Sequence, residues 1–233
     1  MMVTLTGFMG SGKTTVGKVL ADFLGCPFMD LDDLVVKKAG KSIPDIFAQD
    51  GEPAFRELEA RLLRQTVAKY AESTAVLALG GGAVLAPASA ALLHEKTVCI
   101  YLRATLDTLL VRLEGETAGR PLLQEIPDQV GDDGGGQVRD DGGSVVMPGS
   151  GSVVMPGPGS VVMSGSGSSV MPGSGSSVMS GSGSSVMPGP DRASVAARLA
   201  SREPIYEKTA HVIIDTDGLS PDEVADEIII SAL

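Results

Sequence analysis

The stretch "GFMGSGKT", Gly7 to Thr14, restricts the fold more than any other part of the 233-residue chain. It satisfies G-x-x-x-x-G-K-[ST] at every fixed position. A short apolar strand candidate, Met2–Thr6, precedes it, and in the segment after it Val16, Val19, Leu20, Phe23 and Leu24 recur at helical spacing. Strand, glycine loop and helix in that order form a phosphate cradle. The glycines let successive backbone N–H groups turn inward, and the helix N-terminus adds partial positive charge. Gly10, Ser11, Gly12, Lys13, Thr14 and Thr15 are the expected phosphate-binding residues; Lys13 brings a point charge to the outer phosphates and Thr14 a hydroxyl for Mg2+. The motif implies a nucleoside triphosphate site. Phosphate loops serve kinases, hydrolases and switches alike, so the reaction has to be read from other residues.

The rest of the chain alternates strand and helix signals. "PFMDLD" reads as a second strand, followed by helical material from about 34 to 39 and from 43 to 70. "AVLALGGG" is a buried-strand run ending in three glycines, with a helix near 88 to 94 after it. "TVCIYLRA" is a fourth strand, and "TLDTLLVRLEG" a helix with Thr105 as its cap. Near the end come a helix in "RASVAARLASR", a fifth strand in "HVIIDT", and a helix opened by Ser220 as cap and Pro221 at its first position. Such alternation predicts an α/β fold: a five-stranded, mainly parallel sheet flanked by helices on both faces.

Residues 128–190 break this grammar. "DQVGDDGGGQVRDDG" is acidic and glycine-rich, with five Asp against one Arg, and six uncharged octapeptides such as "GSVVMPGS" fill 143–190. Glycine and proline return too often for a strand or helix to extend, and the Val-Val-Met triplets fall short of the roughly six uninterrupted residues of a zipper segment. The expectation is one domain made of 1–127 and 191–233, interrupted by a low-complexity, disordered insertion at 128–190.

A net charge of -11 and a pI near 4.6 argue against a nucleic-acid or anionic-membrane surface, which requires a basic face. Cys26 and Cys99 lie in apolar settings and read as buried free thiols, consistent with a reducing cytoplasm. The opening "MMVTLTGFMG" shows no charged n-region followed by an apolar h-region and cleavage site, so no secretory leader is expected, and no apolar run approaches the roughly 18 residues of a membrane helix. The expectations are a cytoplasmic location and, from the single small core, a monomer.

Candidate acceptor-side residues follow in order. Asp30 and Asp32 end the second strand at the carboxyl edge, where ligands of open α/β sheets gather, and share a face if the strand runs through both. Asp33 is assigned to helix capping. Arg56 lies in a helical stretch with Glu52 and Glu59 in pairing range. Gly80, Gly81 and Gly82 permit close approach of a ligand to the backbone, while "GRPLL" supplies Arg120 and "SREPIYE" supplies Arg202.

Taken together, "GFMGSGKTTVGKVLA", "FMDLDDLV", "SIPDIFAQDGEPAFRELE", "LGGGAV", "GRPLL" and "REPIYEKTA" resemble shikimate kinase, in that family's order and near its spacings. The resemblance covers nearly the whole chain outside the insertion. It implies a P-loop NTPase fold of the nucleoside-monophosphate-kinase-like type, with transfer of the γ-phosphoryl group of ATP to the 3-hydroxyl of shikimate in the presence of Mg2+. It further implies that Asp32 bonds the acceptor hydroxyl as base and that Asp30 reaches Mg2+ through water. Arg56 and Arg202 would clamp the shikimate carboxylate, Gly80–Gly82 contact its ring, Arg120 approach the transferring phosphoryl group, and Arg112 lie against the adenine. Two arginines suit a carboxylate because their donors are paired in a fork.

Two rival readings stand beside this one: a nucleotide-binding relic whose repeat recruits a partner, and another small-molecule kinase such as a gluconate kinase. Asp32, Arg56, Arg120 and Arg202 together weigh against the relic, and "DLDD", "FRELE" and "REPIYE" together favour shikimate. The insertion falls within or just after the segment that the family uses as a lid. Lengthening that connection from about 20 to about 85 residues raises the loop-closure cost by roughly 1.2 kcal/mol, so activity is expected to survive.

Overall fold

β1 (Met2–Thr6) is buried at all five positions, as a strand covered on both faces must be. The computed structural model describes residues 1–116 and 191–233; the expected insertion and Arg120 lie outside the described residues. After β1 come α1 (Lys13–Leu24), β2 (Phe28–Asp30), α2 (Leu31–Ala39), α3 (Ile43–Lys69), β3 (Ala75–Ala78), α4 (Pro87–Lys96), β4 (Val98–Arg103) and α5 (Leu106–Glu116). α6 (Arg192–Thr209), β5 (Val212–Asp215) and α7 (Pro221–Ala232) complete the described elements. They fall in one compact unit formed by Met1–Ile126 and Met187–Leu233.

The sheet order is β2-β3-β1-β4-β5, and every pairing is parallel. Alternation along the strands sends Val3, Leu5, Ile100 and Leu102 to one face, where they pack with Val16 and Leu20 of α1 and with Val224 and Ile228 of α7. Met2, Leu77, Cys99 and Tyr101 belong to the opposite layer, with Leu63 of α3, Leu93 of α4, Leu109 of α5 and Tyr206 of α6. Truncating a fully buried leucine such as Leu20 therefore costs about 2–5 kcal/mol through lost burial and the cavity left behind. A smaller cluster, Val35, Ile46 and Phe55, joins α2 to α3.

Several local expectations are revised. β2 stops at Asp30 and α2 begins at once, so Asp30 and Asp32 do not share a strand face. Asp30, not Asp33, is the cap: its Oδ1 accepts from the Asp32 N–H at 3.0 Å, satisfying a donor of the first turn. α3 is not one continuous helix, because Gly51 breaks it at φ 81, ψ 167, a conformation open essentially to glycine, and Pro53 follows within the next turn. Phe23, placed on the apolar face of α1 by its spacing, is 67% exposed. Ser220 caps α7 as expected, in a reciprocal capping box with Glu223. Both cysteines are free, but only Cys99 is buried as expected, Cys26 being half-buried; no helix among the described residues is long and apolar enough to cross a membrane.

Candidate active site

Parallel strands place their carboxyl ends on one edge, and the loops leaving Thr6, Asp30 and Ala78 meet there. The loop after β1 turns into α1 through Gly12, which takes the left-handed conformation at φ 93, so its neighbours' N–H groups can face a common centre. Gly10 packs against Leu113, and Ser11 is buried with its hydroxyl beside Gly7. Thr15 is exposed on the first turn of α1. The Lys13 ammonium donates to the carbonyls of Gly7 at 2.9 Å and Phe8 at 2.7 Å, which folds its long side chain back over the loop. Thr14 Oγ1 donates to Asp30 Oδ2 at 2.8 Å. The same carboxylate therefore ties the loop to the end of β2 with one oxygen and starts α2 with the other.

The three glycines after β3 are a point of close approach for several elements. A Cβ added at Gly80 would stand 2.7 Å from Asp32 Oδ1 and 3.0 Å from Glu59 Oε1. One at Gly81 would stand 3.6 Å from Gly7 O, 3.7 Å from the Tyr206 hydroxyl and 3.8 Å from Arg202 Nη1; one at Gly82 would stand 2.5 Å from Arg56 Nη1. At Gly80 and Gly82 a Cβ would fit only if the neighbouring side-chain ends moved aside, and this thin strip of backbone lets α2, α3, α6 and the phosphate loop converge. Asp32, Arg56 and Arg202, picked out separately in the sequence, are thus gathered on one turn.

Arg56 is held from two sides, its Nε 3.2 Å from Glu52 Oε1 and its Nη1 3.0 Å from Glu59 Oε2. Burial opposes its charge, but the two carboxylates outweigh that and raise the guanidinium further above its usual range. Glu59 is 3% exposed, and burial pushes its carboxyl up, with Arg56 pulling it back and Asp32 and Glu52 adding to the rise. The sequence shows Glu59 only as a partner spaced three from Arg56; its approach to Gly80 is a tertiary fact. Nor does the local sequence pattern mark Tyr206. Its hydroxyl donates to Gly81 O at 2.6 Å from four residues beyond Arg202, one turn further along the same face of α6. Arg112 reaches Gly10 O at 3.4 Å and is anchored by Thr216 through Oγ1 at 3.1 Å and O at 2.9 Å, so it stands at the flank of the phosphate loop.

The family model described as Shikimate kinase matches residues 9–132, more than half of the chain. The chain belongs to the shikimate kinase family. Among relatives of this family, shikimate kinase from Salinibacter ruber is 51% identical over 125 residues, covering 54% of this chain and 60% of that protein. The Geobacter sulfurreducens enzyme is 50% identical over 122 residues, covering 52% of this chain and 65% of that protein. The matched part of this family member therefore spans less than two thirds of either relative. A solved shikimate kinase from Acinetobacter baumannii, in complex with shikimate, superposes with a TM-score of 0.65 at 25% identity, covering 98% of this chain and 90% of that one. The Bacteroides thetaiotaomicron shikimate kinase gives 0.65 at 22% identity, covering 98% and 96%, a likeness of fold. Arg202 lies beyond the matched residues of the family model, and its place among the others rests on α6 lying beside Gly81.

Proposed function

We propose that the chain transfers the γ-phosphoryl group of ATP to the 3-hydroxyl of shikimate, giving 3-phosphoshikimate and ADP. The observation that carries this reading is the convergence of Asp32, Arg56 and Arg202 on Gly80–Gly82, with the phosphate loop at Gly81. A hydroxylated ring acid needs one anionic group for its hydroxyl and cationic forks for its carboxylate, and both kinds of group stand around one backbone turn. Family membership and the shikimate bound to the Acinetobacter baumannii enzyme point to the same acceptor.

In this reading the backbone N–H groups of Gly10, Ser11, Gly12, Lys13, Thr14 and Thr15 hold the phosphates, and Lys13 exchanges its loop carbonyls for phosphate oxygens. Asp32 orients the acceptor hydroxyl and takes its proton as the oxygen attacks phosphorus, while Arg56 and Arg202 fix the carboxylate so that the hydroxyl lies in line. Phosphoryl transfer draws chiefly on such alignment and on charge neutralisation. Arg120 is proposed to neutralise the transferring group, and Arg112 to lie against the adenine from the loop's flank. The Thr14 hydroxyl and Asp30 carboxylate, 2.8 Å apart, are a hard oxygen pair suited to Mg2+, Thr14 directly and Asp30 through water. Mg2+ when bound supplies charge neutralisation to the phosphates. Residues 1–127 and 191–233 constitute the catalytic domain, with 128–190 an insertion in it.

The test is an acceptor panel. With ATP and Mg2+, phosphorus NMR of the products should show a phosphate ester on shikimate and none on gluconate. Gluconate phosphorylation without shikimate phosphorylation would overturn the assignment.

A further inference from the structure

A second concave surface lies between α2 and α3, outside the residues assigned above. It is a cavity of about 310 Å³, at the lower end of the range of small-ligand sites. From α2 it is lined by Leu34, Lys37 and Lys38. From α3 come Leu62, Gln65, Thr66 and Lys69. Leu62 and Thr66 are half-buried and buried, so the floor is apolar, whereas the three ammonium groups are exposed at the rim. No carboxylate lines the cavity, although the chain carries 29 acidic against 18 basic residues. Among the described residues none of the three lysines is in an ion pair; Lys69 stands over the Tyr70 ring at 5.0 Å.

Lysines in the last turns of α2 and α3 favour those helix ends. Helix-end pairing does not require lysines of two different helices to border one hollow, and bringing three like charges to it is unfavourable until an anion neutralises them. We propose that this cavity is a binding site for a phosphate monoester carried on a small apolar body. The apolar part rests on Leu34, Leu62 and the Thr66 methyl, the dianion meets Lys37, Lys38 and Lys69, and Gln65 offers an amide donor. The site shares no residue with the phosphate loop or with the Gly80–Gly82 turn.

The probe is phenyl phosphate, titrated into the full-length labelled chain and followed by amide proton–nitrogen NMR. Saturable shifts are expected at 34–38 and 62–69, separate from any shifts at 10–15. In the K37Q/K38Q/K69Q variant the affinity read at α2 and α3 should fall about tenfold or more, and in the triple Lys→Arg variant it should be retained. K69Q alone should show a smaller loss in the same direction, which keeps the test available if the triple variant folds poorly. Shifts confined to 10–15, or α2 and α3 shifts unchanged in the Gln variants, would overturn the site. Inorganic phosphate should bind about tenfold more weakly than phenyl phosphate, and equal affinity would overturn the apolar half of the assignment.

Discussion

Replacing Gly82 with alanine tests the proposed acceptor side without replacing a charged group. The added Cβ would stand 2.5 Å from Arg56 Nη1 and 2.7 Å from Nη2, against 3.4 Å for ordinary contact, so the guanidinium must retreat by about 0.9 Å. Gly82 has no left-handed φ to lose, and the group in the way is the far end of a flexible side chain. The fold should therefore hold, with a melting temperature within about 2 °C of the parent, because the alanine also restricts the unfolded chain. The displaced Arg56 gives up its fit to Glu59 and, in the role proposed for it, to the acceptor carboxylate. A charge-assisted hydrogen bond is worth about 1.5–3 kcal/mol, and a displacement near 1 Å can cost about a hundredfold. In a coupled assay of ADP release, kcat/KM for shikimate should fall about 10- to 100-fold, with KM for ATP within about twofold. An unchanged kcat/KM for shikimate, or an equal loss on the ATP side, would refute the assignment of Arg56 to the carboxylate.

Asp30→Asn keeps a good helix cap but removes the charge beside Thr14, so the Mg2+ concentration for half-maximal activity should rise about 10- to 100-fold with thermal stability unchanged; equal loss of both would return Asp30 to capping alone. Tyr206→Phe removes the 2.6 Å bond to Gly81 O and should cost about 1 kcal/mol, a melting shift of about 2–4 °C seen by calorimetry, and no shift would mean that the carbonyl is otherwise satisfied. Burial pushes the Cys99 thiol up to about 11, leaving it almost wholly protonated at pH 8, so iodoacetamide should alkylate the native chain at Cys26 alone and reach Cys99 only on unfolding. Double alkylation of the native protein at one rate would count against the buried β4 thiol.

The phosphate loop was legible because its chemistry is local: eight consecutive residues carry the glycines, the lysine and the hydroxyl, and flanking apolar periods identify strand and helix. The order of strands and helices was legible for the same reason. Where α2 begins was not, because the end of β2 is set by its pairing with β3, where Asp30 meets Ala78, and that register is absent from the local pattern of "MDLDD". The Gly51 break is marked by a glycine and a proline two apart, yet apolar residues at helical spacing on both sides, Ile43, Ile46 and Phe47 before it and Phe55, Leu58 and Leu62 after it, read as one helix. Glu59 and Tyr206 act at the site by touching a turn formed about 20 and 125 residues away in the chain, contacts that no periodicity encodes. Phe23 has the spacing of a core residue but lies outside the strip of α1 that the sheet and α7 cover.

The most direct measurement is ADP release by the full-length chain with ATP and Mg2+, with and without shikimate, beside a chain lacking 128–190. Release that depends on shikimate in both, at rates within about tenfold of each other, is the expected result. ADP release that is absent from both, or that ignores shikimate, would contradict the proposed phosphoryl transfer.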